Sequence, residues 1–223
     1  MNIPNLTRIK NFLLVGLPMR LVSAEWEDQL PGVKGRFYPN RWAYLFHQML
    51  KRPTYAFLKM RHEHLHRWLR ERLLELDMVK PGMSVLCLGA RTGGEVLAFL
   101  DIGCFAVGLD IQPVPARRNF FVLYGDFHYL QFANNSVDIV YTNSLDHSLR
   151  LQNVLTEIKR VLKPGGLFIL EAVVGGGKWK PSAYESCTWD SFDDLLKIIT
   201  LDGFRLERQT EVCDYKEQAV FVK

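Results

Sequence analysis

Short apolar runs alternate with helix-like stretches over residues 83–174 of the chain. Five runs are continuously apolar and too short for helices, which is typical of strands buried on both faces. They are residues 84–88, 105–109, 120–123, 137–141 and 167–174. Between them, residues 95–100 and 151–162 predict helices, because the apolar positions of the second stretch recur at helical spacing. Strands that alternate with helices predict a parallel sheet with helical crossovers.

The last 35 residues follow a different pattern. Asp190 and Ser191 cap a predicted helix with apolar residues at 195, 196, 198 and 199, and Gly203 ends it. Two strand-like runs follow, residues 204–212 and 218–222. The short polar turn between them forces an antiparallel pairing. We therefore predict a parallel sheet that ends in an antiparallel hairpin.

The first 80 residues lack this alternation. Residues 60–79 predict an amphipathic helix, which Pro81 and Gly82 interrupt before the first strand. The apolar side of this helix comprises Leu65, Trp68, Leu69, Leu73 and Leu76. Residues 24–55 are rich in aromatic residues, proline and glycine, and they predict irregular structure with short helices. We divide the chain into an N-terminal helical and aromatic cap, residues 1–80, and an α/β domain, residues 81–223.

Composition places the chain among globular proteins. Of its 223 residues, 48% are apolar and 23% charged, which excludes a disordered or coiled-coil protein. The four cysteines are widely spaced and predict buried small side chains in a reducing compartment. The apolar stretch at residues 11–19 is too short to span a bilayer, and no signal-peptide cleavage site follows it. These features favour a cytoplasmic location.

Positive charge is concentrated at the start of the chain. Residues 1–80 carry 14 Lys and Arg against 7 Asp and Glu, whereas the rest of the chain is mildly acidic. This imbalance indicates either an anionic partner or a solvated basic helix face. Residues 1–22 combine Arg8, Lys10 and Arg20 with an apolar run, and no acid precedes Glu25. They predict either weak peripheral membrane contact or a segment that packs on the protein.

Three polar positions follow predicted strands and suit a nucleotide-like ligand. A glycine-rich turn with Gly89 and Gly93 permits close approach of a ligand, but it lacks the middle glycine of the dinucleotide fingerprint. Asp110 ends the second strand, where a carboxylate accepts both ribose hydroxyls. Asp126 follows the third strand, where it can accept from the adenine amine while Phe127 packs on the ring. A plain tight turn is the alternative for the glycines.

The order of these motifs resembles class I S-adenosylmethionine-dependent methyltransferases. The resemblance covers residues 79–223 and rests most on residues 125–138 and on Arg160–Gly166, RVLKPGG. It implies a Rossmann-like seven-stranded sheet, mostly parallel with a C-terminal antiparallel hairpin, and S-adenosylmethionine as the cofactor. The implied cofactor residues are Gly89 and Gly93 at the methionine part, Asp110 at the ribose, Asp126 and Phe127 at the adenine, and Asn143 on the route to the methyl group.

Two residues depart from the family pattern. Cys87 stands where the family usually has an acid that helps to anchor the methionine end, and Arg91 stands where it usually has glycine. Arg91 can bind the methionine carboxylate through its planar fork, and Glu95 can take the amino group. The alternative is that Arg91 obstructs the cofactor, in which case the chain is an inactive binding or scaffold protein.

The segment after the fourth predicted strand contains the candidate catalytic residues. His147 has a suitable ordinary pKa for a base that deprotonates a hydroxyl, and Asp146 can orient or tune a neighbouring group. Alternatively, Asp146 caps the following helix and His147 lines the cofactor pocket. The predicted acceptor is a hydroxyl of a small molecule or glycan. Trp179, Tyr184 and Trp189 are candidate acceptor contacts on a long loop after the fifth strand.

Metal and nucleic-acid functions are not favoured. His62 and His66 are spaced like helical metal ligands, but no cysteine pair or carboxylate cluster completes a site, so we predict no metal. No basic and aromatic recognition module points to nucleic acid. The sequence does not indicate an oligomeric state.

Overall fold

The structure, a computed structural model, describes residues 25–50, 55–113, 121–176, 181–182 and 184–223. Its centre is a seven-stranded sheet whose order is β5-β4-β3-β6-β7-β10-β9. The strands are β3 Ser84–Leu88, β4 Phe105–Asp110, β5 Val122–Tyr124, β6 Val137–Thr142, β7 Leu162–Val173, β9 Arg205–Cys213 and β10 Lys216–Val222. The first five are parallel, and β10 runs antiparallel to both β7 and β9. The predicted sheet and its terminal hairpin are confirmed.

Helices cover both faces of this sheet and enclose two apolar cores. One face carries α2 Tyr55–Leu74 and α3 Gly94–Asp101, and the other carries α4 Leu151–Val161 and α5 Phe192–Leu201. Ser191 caps α5 as predicted, because its hydroxyl accepts from the amide of Asp194 at 3.1 Å. Helix α2 begins and ends earlier than the sequence predicts. None of the described helices is long and apolar enough to cross a membrane.

The described part of the cap contains strands that the sequence pattern did not predict. Strands β1 Trp26–Leu30 and β2 Val33–Arg36 form a hairpin, and helix α1 Arg41–Met49 follows it. Strand β8 Cys187–Trp189 pairs with β2 and completes a three-stranded antiparallel sheet. Of the prediction for residues 24–55, the short helix is confirmed by α1, whereas irregular structure was wrong for β1 and β2. A two-stranded hairpin is marginal by itself, and its third strand comes from about 150 residues further along the chain.

Candidate functional site

The strand order reverses between β3 and β6, and we call the position outside their carboxyl ends the crevice. The chain leaves β3 to form β4 and β5 on one side and then returns to form β6 on the other, which is the position where open α/β sheets bind ligands. Gly89 follows β3 with φ 73°, and its amide donates to the carbonyl of Leu109 at 2.8 Å. A Cβ on Gly89 would lie 2.6 Å from the Cβ of Ser144. This turn therefore requires glycine for both its backbone angle and its close packing.

The glycine-rich turn is supported from behind by helix α2. Gly93 caps α3 with φ 72° and provides no side-chain hydrogen bond to the helix start. Gly94 is in contact with α2, since a Cβ at this position would lie 2.4 Å from the carbonyl oxygen of His62. The ring Nδ1 of His62 lies 2.8 Å from the carbonyl of Thr92. The start of α3, where backbone amides attract negative groups, is thus held in a fixed position.

Asp110 organises the second strand tip. Its Oδ2 accepts from the amide of Arg91 at 3.1 Å, and its Oδ1 accepts from the amide of Gln112 at 2.6 Å. The guanidinium of Arg91 donates to Gln112 Oε1 at 3.1 Å, and burial lowers the pKa of Arg91. A carboxylate offers about four acceptor positions, so Asp110 can hold both amides and still accept hydroxyls.

Asp126 is the corresponding acid at the third strand tip. Its Oδ1 accepts from the amide of His128 at 2.9 Å and from the ring Nδ1 at 2.6 Å, and its Oδ2 accepts from Arg41 at 2.8 Å. Burial alone would raise its pKa, but the hydrogen bonds from His128 and Arg41 outweigh burial and lower the pKa to about 2. Nε2 of His128 accepts from the amide of Leu149 at 2.8 Å, so the ring proton is on Nδ1. Asp126 is therefore a carboxylate at neutral pH.

Helix α1 lies across the carboxyl ends of three strands. At its start Arg41 binds Asp126 after β5, and at its end the carbonyl of Met49 accepts from Gln112 after β4 at 3.2 Å. Between them the hydroxyl of Tyr44 donates to the carbonyl of His147 after β6 at 3.0 Å. The helix thus covers the crevice, and its inward side is held by polar contacts.

Buried hydrogen bonds attach α1 to the rest of the cap. The hydroxyl of Tyr38 lies 2.6 Å from His47 Nδ1 and 2.9 Å from Ser186 Oγ, and Gln48 donates to the same Oγ at 2.7 Å. Burial raises the pKa of Tyr38 to about 12, although the bond to Ser186 and the charge of Arg36 oppose the shift. Tyr38 is therefore neutral and able to donate at physiological pH.

Glu95 directly follows Gly93 and Gly94, and its side chain is almost fully buried, at 2% exposure. Its Oε2 has no hydrogen-bond partner among the described residues. Burial raises the pKa of Glu95 to about 7, which its own backbone amide and the charge of Arg61 offset only in part. Burial, together with the charge of Glu95, also raises the pKa of Cys87. A carboxylate with an unused buried oxygen suits a cationic or hydrogen-bond-donating ligand.

The fourth strand tip carries the remaining predicted site residues. Asn143 donates to the Tyr141 hydroxyl at 3.4 Å and accepts from the Ser144 hydroxyl at 3.0 Å. A 3₁₀ turn, Leu145–His147, follows, and both Asp146 and His147 are partly buried in it. The N-cap position of α4 is Arg150, so the alternative in which Asp146 caps this helix was wrong. The predicted site residues of all four strand tips therefore lie along one edge of the sheet.

Comparison with known proteins identifies this arrangement. Residues 86–170 match the family model described as a methyltransferase domain. A crystal structure described as a SAM-dependent methyltransferase from Aquifex aeolicus superposes with a TM-score of 0.60 and 20% identity, over 77% of this chain and 99% of that one. Residues 86–170 therefore match the methyltransferase-domain family, and the described fold is that of S-adenosylmethionine-dependent methyltransferases. S-adenosylmethionine is the cofactor of this family.

Other members of the methyltransferase family extend the similarity over most of the chain. A Burkholderia thailandensis 1,6-didemethyltoxoflavin-N1-methyltransferase, solved with S-adenosylhomocysteine, has a TM-score of 0.63 at 17% identity and covers 90% of this chain and 99% of that one. Sterol 24-C-methyltransferase of Schizosaccharomyces pombe is 33% identical over 207 residues, which is 80% of this chain. The chain spans about half of that protein's length, 53%. A malonyl-[acyl-carrier protein] O-methyltransferase of Coxiella burnetii is 36% identical over 46% of this chain and 39% of its own length.

Several sequence-predicted contacts have a different place in the methyltransferase fold. Phe127 is buried in the core, with its ring centroid 4.8 Å from that of His128, so it offers little surface for an adenine ring to stack on. Trp189 is also buried and donates to the carbonyl of Val173 at 2.7 Å, so it is not an acceptor contact. Tyr184 is exposed. Trp179 and the segment 1–22 lie outside the described residues.

The histidines of α2 have structural partners. His66 Nε2 lies 2.7 Å from Asp101 Oδ2, and the ring of His64 lies 5.8 Å from that of Trp68. Trp68, which the helical pattern placed on the apolar side, is about half exposed. Within the described ranges no group of three or more His, Cys, Asp or Glu side chains is placed to hold a metal ion.

Sequence reasoning missed three residues of the crevice. Arg41, Tyr44 and Gln112 contact the strand tips, but none of them belongs to a motif that the sequence analysis used. Arg41 and Tyr44 are separated by about 80 to 100 residues from their partners. The concentration of aromatic and basic residues in the cap was the available signal, and it did not specify these contacts.

Proposed function

We propose that the chain transfers a methyl group from S-adenosylmethionine to a small-molecule acceptor. One observation supports this most directly. The glycine turn, Asp110 and Asp126 follow three adjacent parallel strands in the order that a methionine tail, a ribose and an adenine require. This is the ligand-binding edge of an open α/β sheet.

The nucleoside end of the cofactor would bind to two carboxylates. Asp110 accepts the ribose hydroxyls, and its bonds to the loop amides keep the carboxylate oriented. Asp126 accepts the adenine amine as an ionised group, consistent with its low pKa. Arg41 donates to Oδ2 of Asp126, so the adenine amine shares this oxygen with Arg41 or displaces it.

The methionine end would bind at the start of α3. Glu95 supplies a buried carboxylate whose open oxygen accepts from the ammonium group, and it lies close enough to Cys87 to affect the pKa of that thiol. The family's usual strand acid is thereby replaced by an acid from the neighbouring helix. Arg91 binds the methionine carboxylate, for which its guanidinium turns away from Gln112.

The bound cofactor supplies a methyl group that the sulfonium has already activated. The protein's task is to position the acceptor in line and, for a hydroxyl, to remove its proton. We assign proton removal to His147 and its orientation to Asp146, both in the turn after β6. Asn143 lines the path between acceptor and methyl group.

The acceptor class is inferred from two kinds of relative. The Schizosaccharomyces pombe relative is named for methylating a sterol carbon and the Coxiella burnetii relative for methylating an oxygen of a malonyl thioester. Both names specify small or carrier-bound organic molecules, which favours such an acceptor over nucleic acid. We retain the hydroxyl of a small molecule or glycan as the specific proposal.

Calorimetric titration with S-adenosylhomocysteine tests the cofactor site. We expect micromolar affinity. Absence of binding at millimolar ligand would refute the enzyme assignment and favour an inactive scaffold.

The variant Arg91→Gly tests the role of the residue that departs from the family pattern. If Arg91 binds the methionine carboxylate, the variant binds S-adenosylhomocysteine more weakly but binds adenosine equally well. Tighter binding of the full ligand would show that the arginine obstructs the site.

Acceptor chemistry is tested with methyl-labelled S-adenosylmethionine and separate pools of sterols, acyl thioesters and glycans. Mass spectrometry of the labelled product then locates the methyl group. On a hydroxyl acceptor, His147→Gln should lower kcat, because the base that removes the proton is lost. KM should change little, because substrate binding does not depend on this base. Labelling of carbon with unchanged kcat in this variant would contradict the assignment of His147 as base.

A further inference from the structure

The outward side of α1 is apolar, although the helix lies at the protein surface. Trp42, Phe46 and Met49 are 79%, 54% and 56% exposed, and their spacing of four and three residues places them on one face. Tyr44, His47 and Gln48 form the inward face and are buried. This inverts the usual arrangement, in which a surface helix turns its apolar face to the core. The polar inward contacts fix the helix in this orientation.

The sequence around α1 is strongly basic. Residues 29–62 contain seven Lys and Arg and no Asp or Glu. Arg36 is buried and Arg41 pairs with Asp126, so the other five Lys and Arg of this stretch carry its excess of positive charge. Phe37, just before α1, is also half exposed. Exposed Trp and Phe beside a basic stretch are typical of helices that lie in the interface of an anionic membrane.

We propose that the outer face of α1, defined by Trp42, Phe46 and Met49, binds the surface of an anionic lipid bilayer. The apolar side chains enter the boundary between headgroups and acyl chains, and the basic residues of the 29–62 stretch attract the lipid charge. Because α1 covers the carboxyl ends of the strands, this contact places the crevice against the membrane. If the proposed function holds, a lipid acceptor would reach the crevice from the bilayer.

Vesicle co-sedimentation of the full-length protein tests this surface without any cofactor. We expect binding to phosphatidylcholine vesicles that contain phosphatidylserine, weaker binding to phosphatidylcholine alone, and weaker binding at high salt. The double variant Trp42→Ser with Phe46→Ser should lose at least about tenfold in partitioning, because its two insertion side chains are removed. Both positions are exposed, so the variant is expected to fold.

A matched control is Phe105→Ser, which removes an aromatic side chain that is 73% exposed at the amino end of β4, on the opposite edge of the sheet. It should bind vesicles like the wild type. An equal loss of vesicle binding in the Phe105→Ser control would overturn the proposal. Unchanged vesicle binding of the double variant would also overturn it and would assign binding to another segment, such as residues 1–22.

Two further measurements identify the occupant of the face. Brominated lipids should quench part of the tryptophan fluorescence, and Trp42→Phe should abolish that part while leaving sedimentation nearly unchanged. A dimer in sizing experiments that the double variant dissociates would instead assign the face to a second copy of the chain and overturn the proposal. Since no step uses S-adenosylmethionine, failure here is distinguishable from failure of the cofactor titration.

Discussion

Asp110 has a structural task at the tip of β4, and the proposed function adds a ligand-binding task to it. Its two oxygens already accept from the amides of Arg91 and Gln112, so the acid shapes the loop before any ligand arrives. The strand end directs the carboxylate toward the crevice, and the amides keep it from turning. If the proposed function holds, the same residue both fixes the loop conformation and accepts the ribose hydroxyls.

Replacement of Asp110 tests this double role. Asp110→Ala should weaken S-adenosylhomocysteine binding by about 1–3 kcal/mol, because hydroxyl donors would lose their partner. Calorimetry measures the affinity, and near-ultraviolet circular dichroism checks the fold. Asp77→Ala, in the exposed turn between α2 and β3 at the amino ends of the strands, is the charge-matched control. Unchanged affinity in a folded Asp110→Ala protein would disprove the ribose assignment.

Glu95 makes stability depend on pH in a defined direction. Its folded-state pKa is about 7 against 4.5 ordinarily, so between these values the folded state binds more protons than the unfolded state. Stability contributed by this group is present below pH 4.5 and is lost as pH rises through 7. Over that window the wild type should lose up to roughly 3 kcal/mol relative to Glu95→Gln, as measured by urea unfolding. A difference between the two proteins that does not change with pH would contradict the raised pKa.

The same titration should couple to ligand binding. An ammonium group that binds Glu95 favours the carboxylate, so a proton is released on binding and S-adenosylhomocysteine affinity rises as pH increases through 7. Glu95→Gln should bind more weakly and without this pH dependence. Calorimetry in buffers of different ionisation enthalpy measures the released proton. If the variant retains the wild-type pH profile, another group binds the ammonium.

At the scale of elements, the contact between α2 and α3 holds the glycine-rich turn. Gly94 lies at the crossing, and the carbonyl of His62 occupies the space that a Cβ would need. The turn therefore depends on a helix that precedes the whole parallel sheet in sequence. Movement of α2 would displace the amides at the start of α3.

Gly94→Ala should destabilise the protein by about 1–3 kcal/mol, because the added methyl overpacks against a backbone atom. It should also weaken S-adenosylhomocysteine binding, since α3 carries the turn. Gly165→Ala is the control. A Cβ at this position would have no atom within 4 Å, so only the backbone φ of 75°, which favours glycine, opposes the substitution. Chemical unfolding and calorimetry measure both effects. Loss of stability without loss of affinity would show that the helix contact does not support the site.

At the scale of the whole molecule, the cap and the sheet form one structure around the crevice. Strand β8 joins the cap from beyond the fifth parallel strand, and α1 spans three strand tips. Ligand binding should therefore stabilise cap and sheet together. At a ligand concentration 100 times Kd the gain is about 2.7 kcal/mol, which raises Tm by roughly 5–10 °C for a protein of this size.

Differential scanning fluorimetry with S-adenosylhomocysteine measures that shift. The Asp110→Ala protein should show a smaller shift at equal ligand concentration, whereas Asp77→Ala should match the wild type. A single transition that moves as a whole is the expected result. A wild-type Tm that is unaffected by millimolar ligand would argue against a working cofactor site.

The sequence by itself determined the sheet and its chemistry at the strand ends. Continuous apolar runs are typical of strands buried between two helical layers, and Asp110 and Asp126 closely follow such runs, so the positions of the strands and of the acids along the chain are local properties. Ser191 as the cap of α5 was predictable for the same reason. Each of these features depends on residues within a few positions of one another.

Only the tertiary structure decided how the cap closes the crevice. The hairpin β1–β2 depends on β8, and the apolar face of α1 turns outward because Tyr44 and Gln48 find polar partners at distant positions, while His47 bonds to Tyr38 of the cap. A hydrophobic pattern alone predicts that the apolar face is buried, which is the opposite orientation. Contacts between residues more than 100 positions apart leave no local pattern, so the partners of α1 could be identified only once the chain was folded.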